Sequence, residues 1–137
     1  MPRIYKKRLE DAVFKLLELA QELGVSVRFT DPDICDETTF ELYGQFDCTK
    51  NQITCYKDVR KPLSIQHVHT LAHELRHAWQ FRNKMVPIHW LALIGIYPKY
   101  KNSQQDKILE DDADQWANEF MIKNKLPVPT VFPSEKI

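Results

Sequence analysis

Three stretches of the chain carry apolar residues at helical spacing, and short alternating runs and turn-rich loops separate them. In residues 3–23, Leu9, Phe14, Leu16, Leu17, Ala20 and Leu23 recur at the helical period, and Gly24 is placed to end the helix. "VSVRF" (25–29) alternates instead, with Val25, Val27 and Phe29 on one face, which is the period of a strand. "DPDICDETT" (31–39) reads as a loop from its Asp and Pro content. "FELYGQF" (40–46) alternates through Phe40, Leu42, Gly44 and Phe46, and a turn at "TKNQ" leads to a short strand, "ITCY" (53–56). Pro62 and Ser64 open a second helix, with Ser64 as its N-cap, that runs to about Arg82. "PIHWLALIGIYPKY" (87–100) is apolar, bounded by prolines, and fits either a helix or a packed loop. A third helix spans roughly Gln105 to Lys125, and the tail "LPVPTVFPSEKI" is proline-rich and extended. The predicted architecture is α+β in a single domain, 1–137: an N-terminal helix, a small three-stranded sheet, then two further helices.

The second helix has two different faces. Val68, Leu71, Leu75, Ala78 and Trp79 cluster on one side and can build a core, while His69, His73, His77 and Gln80 lie on another. Within "TLAHELRHAWQF" (70–81) the two histidines of an H-E-x-x-H motif, His73 and His77, are four apart. Residues at that spacing lie about 40° apart on one helix face, so two imidazoles can aim at one zinc ion. Glu74 sits about 100° around the helix, within reach of a metal-bound water without being a ligand. A structural zinc has no use for that acid, whereas a hydrolytic zinc does: the metal lowers the water's pKa and the carboxylate takes the proton.

Tetrahedral zinc then needs a third protein ligand and one open position. The metzincin extension would require a glycine at position 80 and a histidine at position 83, where the chain has Gln80 and Asn83. Two candidates remain, an acid in "LEDDADQWANEF" (109–120) and His89. On a helical wheel Leu109, Ala113, Trp116, Ala117 and Phe120 form the apolar stripe, and Glu110 points inward along its edge. Asp111 projects to solvent, Asp112 to the far edge beyond Trp116, and Asp114 lies one turn on from Glu110. Glu110 can then bind the metal while Asp114 accepts the outer N–H of a ligand histidine, fixing its tautomer. His67 and His69 are not expected to be ligands, although His69 could line the cleft.

With those residues stated, the chain resembles the small gluzincin-type zinc peptidases, in particular the ImmA/IrrE-type metallopeptidases and the compact minigluzincins. The resemblance rests on Gly44, the hairpin from Asn51 to Ile53, the motif from Thr70 to His77, and Glu110, Ala113, Asp114, Trp116 and Ala117. It implies His73, His77 and Glu110 as ligands of one zinc per chain and Glu74 as catalytic base. It also implies a protein or peptide substrate held in extended form along a sheet edge beside the active-site helix, for which "ITCY" is the candidate. Arg76 and Trp116 depart from the family's usual small residue and Phe, and no attached DNA-binding domain is expected. Two alternatives stand beside this reading: a SprT-like zinc protease with His89 as third ligand, and a zinc-stabilised interaction module without activity. Tyr56, Tyr97, Tyr100 and His89 are the candidates for oxyanion stabilisation.

Charge and composition narrow the classes further. Lys+Arg and Asp+Glu are both 19, so a zero net charge gives no push toward nucleic acid or anionic membrane. No apolar run is long enough for a membrane span. The charged N-terminus lacks a signal peptide's apolar core, and Cys35, Cys48 and Cys55 form an odd, sparse set, so a reduced, cytoplasmic location is expected. Cys48 and Cys55 read as structural neighbours on a hairpin.

Overall fold

The computed structural model describes residues 3–30, 44–47, 50–57, 60, 62–83 and 104–129. Helix α1 (Arg3–Leu23) buries Leu9, Ala12, Leu16 and Ala20 in the core. Phe14 falls off that stripe and is 64% exposed, a correction to its place in the predicted apolar face. The helix ends in a Schellman motif. Gly24 has φ +73°, its N–H donates to Gln21 C=O (3.0 Å), and Val25 N–H reaches back to Ala20 C=O (2.9 Å). The buried Val25 then leads directly into the sheet.

Strand β1 (Ser26–Thr30) pairs in parallel with β3 (Gln52–Tyr56), and β2 (Gly44–Asp47) pairs antiparallel with β3 on its other side. The order β1-β3-β2 puts "ITCY" at the centre of the sheet, not at its edge. Ile53, Thr54, Cys55 and Tyr56 are all buried, as a strand paired on both sides should be. Among the described strands the outer one packed on the motif helix is β2. Asn51 makes the tight turn into β3: it adopts φ +51°, and its side-chain amide donates to Gly24 C=O (2.7 Å). Gly44, opposite Cys55, permits a close approach, because a Cβ there would lie 2.9 Å from both Thr54 O and Thr70 Cγ2.

Helix α2 (Ile65–Arg82) starts from a capping box in which His67 stands where Glu or Gln is usual. Ser64 Oγ accepts from His67 N–H (3.3 Å), and His67 Nδ1 accepts from Ser64 N–H (3.2 Å). Its buried side is Val68, Leu71, Ala72, Leu75 and Ala78. Helix α3 (Gln104–Lys123) buries Leu109, Ala113, Ala117, Phe120 and Met121 against it, with Trp116 at the margin. A second Schellman-type end closes α3 two residues before the expected Lys125. Lys125 itself takes the left-handed position (φ +58°), and Leu126 N–H bonds Met121 C=O (2.9 Å). The fold is α+β: among the described residues it has an N-terminal helix, a mixed three-stranded sheet and two later helices. Among the described residues no helix is long and apolar enough to cross a membrane.

Candidate metal centre

Helices α2 and α3 run antiparallel, and a polar ladder joins them. His69 Nε2 lies 2.8 Å from Asn118 Oδ1, His73 Nδ1 lies 2.7 Å from Asp114 Oδ1, and His77 Nε2 lies 3.0 Å from Glu110 Oε1. Each step of four along α2 is matched by a step of four back along α3, so one helical face meets another in register. The ladder grades from buried to open. His69 is 2% exposed, whereas the Glu110 side chain is 48% exposed. His69 is therefore a core histidine holding Asn118 and does not line a cleft. Glu110 sits at the surface over the two histidines, less inward than the wheel alone indicates.

At the open end two imidazole nitrogens and one carboxylate converge. His73 Nε2 and His77 Nε2 are 3.1 Å apart, and Glu110 lies 3.0 Å from each, through Oε2 to His73 and Oε1 to His77. Among the described residues His73, His77 and Glu110 form the group whose ligand atoms lie close enough together to hold a metal ion. Zinc–nitrogen and zinc–oxygen bonds of about 2.0–2.1 Å in a tetrahedron separate neighbouring donors by about 3.3 Å. The two imidazole nitrogens, 3.1 Å apart, need to open by only a few tenths of an ångström, and one carboxylate oxygen of Glu110 lies within 4.8 Å of both.

The outer nitrogens explain why these atoms are electron-pair donors. His73 Nδ1 faces the Asp114 carboxylate, which only accepts, so the proton belongs on Nδ1. His77 Nδ1 faces Gln80 Oε1 at 2.8 Å. Gln80 Nε2 is committed to Leu109 C=O (2.9 Å) and Asp112 Oδ2 (2.9 Å), so Oε1 is an acceptor and His77 Nδ1 carries the proton. Both Nε2 lone pairs then point at each other and at a carboxylate. Neutral imidazoles in that arrangement repel unless a cation or a proton lies among them.

The electrostatics of these side chains follow. Burial works against charging His73, but hydrogen bonds to Asp114 and Glu110 outweigh it and raise its pKa to about 10. His77 is likewise raised, against burial, by its bond to Glu110 and by the charge of Glu74. Burial opposes ionisation of Glu110, yet bonds from both histidines hold its carboxyl well below the usual range. Glu74 is only 13% exposed and lies 3.8 Å from His73 Nε2. Burial raises its pKa, partly offset by the two histidines and by a hydrogen bond from the Phe46 backbone in β2.

Gln80 lies on the histidine face as its spacing predicts, but its bond to His77 is not legible in that spacing. Asp112, on the far edge of the α3 wheel, accepts from Gln80 and from Arg76 (Nε 2.8 Å, Nη2 3.3 Å). Asn118 is a further partner, for which the matched four-residue spacing on both helices is the available signal. Tyr56 is buried in β3. His89, Tyr97, Tyr100, Cys35, Cys48 and the apolar segment 87–100 lie outside the described residues. Cys55 is a free, buried thiol, and burial with the nearby Glu74 charge pushes it up to about 12.

A protein-family model matches residues 5–94, and its description is "Putative metallopeptidase family (DUF6782)". The match takes in α1, the sheet and α2 with His73, Glu74 and His77, and it stops before α3. No curated protein and no solved structure matches the chain.

Proposed function

Because the chain belongs to this metallopeptidase family, we propose that it is a zinc-dependent peptidase of gluzincin type, with His73, His77 and Glu110 as ligands and Glu74 as catalytic base. One observation carries the reading: two histidines whose outer nitrogens are held by Asp114 and Gln80 turn both Nε2 atoms onto one carboxylate. Two nitrogens and an oxygen at this spacing suit zinc, which accepts both donor types and has no rigid geometric demand. A zinc ion bound there supplies Lewis acidity, lowering the pKa of a coordinated water and polarising a substrate carbonyl.

The chain's own residues do the rest. Glu74 is held beside the ligands by the Phe46 backbone. Its raised pKa makes it a better base than an ordinary carboxylate, able to take a proton from the attacking water and pass it to the leaving amine. Asp114 and Gln80 orient the two imidazoles. Among the described strands β2 is an outer one, and its Phe46 backbone bonds Glu74, so substrate strand addition belongs beside β2 in place of "ITCY".

The test is Glu74→Gln, which keeps size and removes basicity. The variant should fold and hold zinc with wild-type affinity, while cleavage of a denatured-protein or peptide library falls by at least about 10²-fold. Loss of zinc as severe as in His73→Ala would show the roles to be wrongly assigned. Equal inertness of wild type and variant, both zinc-loaded, would favour the interaction module.

A further inference from the structure

The two histidines are not held alike. His73 has a carboxylate behind it, partly open to solvent, whereas His77 has the amide of Gln80, which is fully buried. An amide can be turned either way: one orientation offers an oxygen to His77 Nδ1, the other an NH₂. In the second orientation Nδ1 would have to accept, the imidazole proton would move to Nε2, and the lone pair facing Glu110 would be lost. What holds the first orientation lies further out. Gln80 Nε2 faces two groups that can only accept, Leu109 C=O and Asp112 Oδ2, both at 2.9 Å. Asp112 is in turn gripped by the Arg76 guanidinium through Nε and Nη2, and that guanidinium lies 3.8 Å over the Trp79 ring.

We propose that Arg76, Asp112 and Gln80 form a positioning chain that locks the Gln80 amide, and through it the metal-binding tautomer of His77. The idea rests on the metal-site reading above and adds to it Arg76 and Asp112, two residues that touch neither metal nor substrate and that fix the Gln80 amide already behind His77. It gives a physical reason for an arginine inside the H-E-x-x-H motif. Arg76 and Gln80 stand one turn apart on α2 and both donate to the same oxygen of an α3 carboxylate, Asp112 Oδ2. A neutral amide is also the group that fits behind His77, since a carboxylate at position 80 would confront Asp112.

The experiment measures Zn²⁺ affinity by chelator competition and the visible absorption of the Co²⁺-loaded protein, for wild type, Gln80→Leu, Arg76→Met, Arg76→Lys and Asn118→Leu. Asn118→Leu is the control: it removes the buried rung with His69 and loosens the same helix pair without touching the chain to His77. Gln80→Leu should weaken zinc by about 10- to 100-fold, the range for lost support behind a ligand, and alter the Co²⁺ bands. Arg76→Met should move both readouts in the same direction, and Arg76→Lys, which keeps the charge but not the fork, should fall between it and wild type. Asn118→Leu should lower the unfolding midpoint yet leave zinc affinity and Co²⁺ bands as in wild type. Affinity that tracks unfolding midpoint across all four variants, Asn118→Leu included, makes the role merely structural and overturns the proposal. Wild-type affinity in both Arg76 variants overturns it as well, and does so even if Gln80→Leu does not fold. A folded wild type that takes up neither metal overturns the metal-site reading and this one together, whereas tight wild-type binding with unaffected variants overturns only the positioning chain.

Discussion

Stripping the metal with EDTA should make stability fall as pH rises. The group responsible is His73, whose pKa is about 10 in the fold against 6.5 for an ordinary histidine. Between those values the native chain holds a proton that the unfolded chain has released, so folding weakens with increasing pH. The stabilisation is fully present below pH 6.5 and lost as pH rises through about 10. One proton difference is worth about 1.4 kcal/mol per pH unit, so stability should drop by about 2 kcal/mol between pH 7.0 and 8.5. His77, also raised, adds to the same slope. Two other groups touch only the ends of the window. His67 is lowered by burial and by Lys57 and acts with opposite sign, chiefly below the ordinary histidine range, while the buried Cys55 thiol begins to add to the same slope near pH 8.5, as the unfolded thiol ionises toward 9.0. Urea unfolding at several pH values in EDTA reads the slope directly. Under saturating zinc the histidines are deprotonated in the folded state as well, so the slope should flatten toward zero. His73→Gln should carry a smaller slope than wild type in EDTA. A metal-free stability that is level or rises across the window would refute the electrostatic account of the cluster.

Other expectations concern single positions. Glu110→Gln should lose zinc nearly as fully as a histidine variant, Asp114→Asn should cost about 10- to 100-fold in affinity, and His89→Ala should cost nothing, all read by chelator competition. The reverse order for Glu110 and His89 would favour the SprT-like arrangement. Gly44→Ala should destabilise by about 1–3 kcal/mol in urea, since its Cβ would meet backbone oxygen as well as the Thr70 methyl. A change within about 0.5 kcal/mol would show that β2 can shift away from α2 freely.

Much of the scaffold could be read from periodicity because its elements are long or capped. Ser64 and Gly24 mark helix ends through chemistry that is local in sequence, and both hold those positions here. The α3 end was misplaced by two residues because Lys125, not a glycine, takes the left-handed turn. The sheet order was not legible. "ITCY" is short enough to pass as an edge, and only the parallel pairing with β1, remote in sequence, makes it central. Helical wheels were good for direction and poor for depth. They turned His73, His77, Glu110 and Asp114 toward a common seam, yet they could not show that Glu110 lies at its open end or that His69 lies at its closed one. The Gln80 bond needed knowledge of which acceptors α3 would present, and these depend on the register between two helices, not on either helix alone.

The most direct test is the metal content of the purified wild-type protein after reconstitution with zinc and removal of excess, measured by elemental analysis against protein concentration. The account predicts about one zinc per chain, retained in Glu74→Gln and lost in His73→Ala and His77→Ala. A wild-type protein that is folded by circular dichroism yet stays free of metal when offered zinc would contradict it.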